Sequence, residues 1–279
     1  MDNPDFRIIY LFTDLLAPLI VGCLLYRHGK ISDALISRIL RLNVIVIYTL
    51  LALMSCWTLP ISWDLALIPV YGILIVLVPG LIGWAFFIRK YRSPLDRGAY
   101  LVNAMMSNIT TLGGVCAFII YGEQGFAYAQ IMGIFQTLML VLAVFPMAQY
   151  YYLQHKNHGR GGKIHIRFAD IFLSWNQLSI LGMAVGLALN AAGVERPPAV
   201  GTAFEGLIHF GAWFGMLPVG ALVNLHRARR YAPYTLDLFA LRFLILPVFM
   251  MAIAYPFVGD PVLLGAILVF SVTPGAINS

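Results

Sequence analysis

The sequence predicts an all-α, multi-span membrane protein made of two inverted five-helix repeats. Three observations predict it. Of 279 residues, 61% are hydrophobic and only 11% charged, with a mean hydropathy of +0.84, whereas soluble domains carry about 25% charged residues. The basic residues gather in alternate short loops. Two apolar spans far apart in the chain are each interrupted by polar and helix-weakening residues. No stretch is left over for a soluble domain, and the net charge of +6 is explained by membrane topology rather than by a nucleic-acid partner. Cys23, Cys56 and Cys116 lie in apolar spans without metal-ligand spacing, so neither a disulfide framework nor a zinc site is expected.

At about 20 apolar residues per crossing, spans are expected near 8–26, 42–60, 65–88, 99–121, 126–150, 176–194, 200–224 and 237–258, with a ninth starting near 262. The acidic N-terminus lacks the basic leader and cleavage site of a signal peptide, so the first span is expected to stay in the protein. Trp57 and Trp63 bracket the turn between spans two and three, where amphipathic rings favour the interface. Span five is followed by a basic segment whose Gly159 to Gly162 reads as a flexible linker. The expected division is therefore 1–155, a first repeat; 156–170, a linker; and 171–279, a second repeat. Arg27, Lys30, Arg38 and Arg41 follow span one; Arg89, Lys90, Arg92 and Arg97 follow span three. Lys156, Arg160, Lys163 and Arg167 follow span five, and Arg227, Arg229, Arg230 and Arg242 follow span seven. Of the 18 basic side chains only Arg7 and Arg196 fall on the other side, which puts these loops in the cytoplasm and the N-terminus outside. Arg242, early in span eight, is expected to snorkel to the cytoplasmic interface.

Span four carries Ser107, Asn108, Thr110, Thr111, Gly113 and Gly114 in its middle, and span nine runs into Thr273, Pro274 and Asn278. In hydrocarbon the backbone must satisfy itself, so a broken helix is tolerated only beside a cavity or inside protein. Paired interruptions at corresponding places point to a transporter's binding site. Span four lies five spans before span nine. Because five is odd, the two units face opposite ways across the membrane.

Leu16 to Ser32, Asn108 to Gly113, Tyr121 to Gly125, Asn176 to Pro198 and Thr273 to Ser279 together resemble the auxin efflux carrier family of secondary transporters, which includes bacterial malate and malonate permeases. The resemblance implies ten helices, the fourth and ninth broken and crossing. The sequence reaches only into the ninth, so the resemblance implies an incomplete second repeat, and Val115 stands where the family usually has proline. It implies a permease for mono- or dicarboxylates in a bacterial inner membrane, with the bilayer and the anion as partners and a second copy of the chain as a candidate partner. A non-transporting remnant or membrane scaffold is the alternative.

On this reading, helix-end N–H groups around Gly113 to Val115 would receive an anion without burying a charged side chain, with Ser107, Asn108, Thr110, Thr111, Gly114, Thr273, Pro274 and Asn278 around it. Charged groups inside spans are costly and mark function. Asp14, Glu205 and His209 are the candidates for proton coupling, the last two sharing a helix face at i and i+4. No catalytic residue, cofactor or metal is expected: the six histidines form no ligand pattern, and no glycine-rich phosphate loop follows a strand.

Overall fold

A computed structural model describes residues 9–156, 178–223 and 235–275. Among these residues the secondary structure is helical throughout, with no strand. Helix α1 runs through Leu11–Leu16 and Ala17–Arg27, α2 is Asp33–Trp57, α3 is Trp63–Lys90 and α4 is Pro94–Met105. Next come α5 (109–121), α6 (123–156), α7 (Leu178–Ala191), α8 (Pro198–Leu222), α9 (Leu236–Ala254) and α10 (Pro261–Ser271). Four helical stretches, Asp33–Trp57, Trp63–Lys90, Pro94–Lys156 and Leu236–Ala254, are long and apolar enough to cross a membrane. The chain is a helical membrane protein. Helices α7 and α10 are shorter, at 14 and 11 residues; α8 has 25 residues, but glycines, Glu205 and His209 dilute its apolar content.

Local chemistry sets the helix ends. Ser32 Oγ accepts the Leu35 N–H (3.3 Å) at the start of α2, and Asp260 accepts the Val262 N–H (2.9 Å) at the start of α10. Side-chain caps of this kind satisfy amides that the helix itself leaves unpaired. Gly122, at φ 69, ends α5 and turns the chain into α6, a conformation that costs a residue with Cβ about 1 kcal/mol or more. Among the described residues six helices contain a wide π-helical turn, and three of these turns hold a buried polar residue: Asp14 in Leu11–Leu16, Asn43 in Asn43–Ile47 and Arg242 in Leu241–Ile245. Such turns loosen the regular ladder and recur at functional sites.

The chain divides into two compact units, each drawing on both halves of the sequence. The first comprises Met1–Ser62, Thr110–Ile131 and Ser174–Leu225. Here α1 packs on α8 and α2 on α7, at backbone distance. A Cβ on Gly22 would stand 2.0 Å from Leu217 O, and one on Gly186 would stand 2.3 Å from Leu53 O. Small residues that let backbones touch are how helices associate in lipid, where no hydrophobic drive separates protein from solvent. Tyr48, Leu51, Phe118, Phe126, Phe204 and Ile208 fill its core.

The second unit comprises Trp63–Ile109, Met132–Leu173 and His226–Ser279. In it α3 packs against α4 and α9, α9 against α10, and α4 against the end of α6. Its core gathers Ile88, Tyr100, Leu101, Ala104, Tyr151 and Leu241. Tyr91 ties the approach to α4 to the start of α9: its hydroxyl donates to Asp237 (3.3 Å), and its carbonyl accepts Arg97 Nε (2.8 Å). Burial and the Asp237 carboxylate push the Tyr91 phenol up to about 12. It therefore remains a neutral donor at physiological pH.

Candidate functional site at the helix breaks

In the second unit two helices are interrupted, at residues 106–108 and after Ser271, and the interruptions meet. Helix α4 stops at Met105; Met106, Ser107 and Asn108 leave the helical path before α5 begins. Helix α10 stops at Ser271, and Thr273, Pro274 and Gly275 are non-helical. The Asn108 N–H donates to Pro274 O at 3.0 Å, so the two broken backbones are bonded directly to each other. Ser107 and Thr273 are buried.

Arg242 holds this crossing together. It is only 2% exposed, contrary to the expectation that it snorkels. Its Nη1 donates to Ala104 O (2.8 Å), and its Nη2 to Ser107 Oγ and to Thr273 O (2.7 Å). An Arg at the centre of a membrane helix costs about 2.5–3.5 kcal/mol on insertion scales, and hydrogen bonds from a charged donor contribute about 1.5–3 kcal/mol each. Three such bonds are enough to retain the guanidinium inside, so the acceptors at the breaks outcompete the interface. Among the described residues no carboxylate pairs with it, and its Nε is buried without a partner. From α6, Gln136 Nε2 donates to Ser107 O at 2.6 Å. Arg242, Asn103, Thr235, Pro274 and Gly275 line a cavity of about 200 Å³, smaller than the ~300–1,000 Å³ typical of drug-sized ligand sites.

The remaining predicted residues lie elsewhere. Thr110, Thr111, Gly113 and Gly114 belong to the first unit, and Asn278 lies outside the described residues. The helix restarts at Ile109, so Gly113 and Gly114 are inside it and do not make the break. Gly114 is there for packing: a Cβ would come within 3.3 Å of the Phe126 ring and 3.5 Å of Ala129. Thr110 O accepts Gln130 Nε2 at 3.3 Å. Thr111 Cγ2, Asn43 Nδ2 and Tyr48 OH crowd Gly215, at 2.6, 3.1 and 3.3 Å from where its Cβ would stand. Asn43 Nδ2 donates to Gly211 O at 3.1 Å.

The first unit also regroups the predicted proton-coupling residues. His209 Nδ1 meets Asp14 Oδ2 at 2.5 Å, with Thr13 Oγ1 donating to Asp14 Oδ1 (3.2 Å) and the Tyr10 ring 4.6 Å from the imidazole. Asp14 is buried and Glu205 is exposed, so His209 takes its carboxylate from α1 rather than from its own helix. Sequence reasoning missed the Arg196–Glu123 ion pair, in which Arg196 Nη2 lies 3.0 Å from Glu123 Oε2 and Nη1 also donates to Met54 O (3.0 Å). It also missed Gln136, whose signal was available as an amide in an otherwise apolar span.

No protein-family model matches the chain, and no curated protein matches it.

Proposed function

We propose that this protein is a secondary transporter that moves small organic anions, such as mono- or dicarboxylates, by alternating access about the crossing of its fourth and ninth spans. The observation that carries the reading is the direct bond between two broken helices, Asn108 N–H to Pro274 O, beside a cavity lined by a buried arginine. Non-helical backbone at membrane depth is tolerated beside a cavity or within protein, and paired broken spans are where transporters bind substrate. The positive field of Arg242, with no carboxylate partner among the described residues, favours an anion. The resemblance to the auxin efflux carrier family points to the same substrate class, a bacterial inner membrane and an N-terminus outside.

An internal two-fold repeat supports alternating access. The shift in numbering that carries Gly22 onto Gly186 also carries Leu53 onto Leu217, the two backbone partners of those glycines. It carries Gly29 onto Gly193 as well. Their φ values are 66° and 68°, and both close the same turn: Lys30 N–H to Leu25 O after α1, Val194 N–H to Leu189 O after α7. By the loop charges these matching ends lie on opposite sides of the membrane, as an inverted repeat requires. Asp14 and His209 are assigned to proton coupling, since a carboxylate and an imidazole in contact can hold and release a proton. The test is carboxylate uptake into proteoliposomes; Asn108→Ala, which keeps the bonded N–H but strips the amide side chain from the crossing, is the variant that should lose it.

A further inference from the structure

Half-helix C-termini and unwound carbonyls are where transporters with broken helices hold their coupling cation. In this protein such a place exists and is filled from within. Ala104 O is the penultimate carbonyl of α4, Thr273 O follows the end of α10, and Ser107 Oγ stands between the breaks. Two carbonyl oxygens and a hydroxyl are the hard oxygen donors that suit a small cation, and the negative ends of two helix dipoles add to their field. All three are taken by one guanidinium, that of Arg242, which approaches from the π-helical turn of α9. Its three partners are neutral oxygens, so dipoles hold the guanidinium in place and no carboxylate among the described residues cancels its charge.

We propose that Arg242 is a resident cation, covalently held at the position between the two half-helix ends that a sodium ion would otherwise occupy, so that the crossing needs no bound metal ion to be stable. Calling this a coupling position rests on the transport reading above; the occupancy itself does not. Arg242 acts as a positioning residue, fixing the ends of α4 and α10 against each other. It follows that the fold is indifferent to sodium as long as the charge is present.

The test is the apparent melting temperature of the purified full chain in detergent, with sodium chloride and choline chloride compared at equal ionic strength. Wild type should melt at the same temperature in both salts. Arg242→Gly, which vacates the oxygens, should melt lower and become sodium-sensitive. Arg242→Lys, whose ammonium offers three donors to three acceptors, should stay near wild type, whereas Arg242→Met, of similar length but uncharged, should fall by roughly 5–10 °C. A sodium-dependent rise in wild type, or a sodium-indifferent Arg242→Gly, overturns the proposal. So does an equal loss in Arg242→Lys and Arg242→Met, an arm that holds even if Arg242→Gly does not fold. No substrate enters these measurements, so a failure of carboxylate uptake leaves their outcome intact.

Discussion

Ser107 serves two helices at once: its hydroxyl accepts Arg242 from α9, and its carbonyl accepts Gln136 from α6. Residue types at such points were partly legible. Ser107, Asn108, Thr273 and Pro274 stand out because polar groups in apolar spans need partners, and the structure brings these four together. Sequence alone does not place Arg242, because snorkelling and burial begin from the same place near a span's end; only acceptors contributed by other helices decide between them. The same limit applies to His209. Spacing along one helix offers it Glu205, but the partner that reaches it is Asp14, from α1. If this pair couples protons, Asp14→Asn should flatten the dependence of flux on pH, while Glu205→Gln should leave it intact. The reverse pattern in a proteoliposome pH series would move the coupling site to Glu205.

Among elements, every expected span has a helix in the described residues, because long apolar runs admit little else in a membrane. What the sequence does not resolve is the work of each glycine. Gly113 and Gly114 suggest a break, yet they lie in a helix, while the break falls at Met106–Asn108, where the chain has no glycine. Close approach to a neighbour and local unwinding both favour small residues, so only the packing partner separates them. Gly186 and Gly206 make the contrast testable. A Cβ at 186 would stand 2.3 Å from Leu53 O, whereas one at 206 would meet nothing within 4 Å. Gly186→Ala should therefore destabilise by about 1–3 kcal/mol, as overpacking does, and Gly206→Ala should stabilise by up to about 1 kcal/mol through helix propensity. Reversible unfolding in mixed micelles measures both, and equal effects would mean that α2 and α7 are not held at backbone distance.

For the whole molecule, the sequence suggests a division into two successive halves, and the compact units each draw on both halves. That interleaving depends on contacts far apart in the chain, such as Gly22 with Leu217 and Gly186 with Leu53, which no local pattern encodes. The inverted repeat proposed from them places His28 and Ala192, at the ends of α1 and α7, on opposite faces of the membrane. In a background lacking Cys23, Cys56 and Cys116, an impermeant maleimide should label Ala192→Cys in intact cells and His28→Cys only after permeabilisation; labelling of both from one side would remove the inverted arrangement. Anion transport through the crossing is checked by uptake of radiolabelled mono- and dicarboxylates into proteoliposomes holding the purified chain. Saturable uptake of at least one of these acids is expected, reduced about tenfold or more in Asn108→Ala, a loss of about 1.4 kcal/mol or more. Uptake no greater than in protein-free vesicles for every acid, or equal uptake by Asn108→Ala, would contradict it.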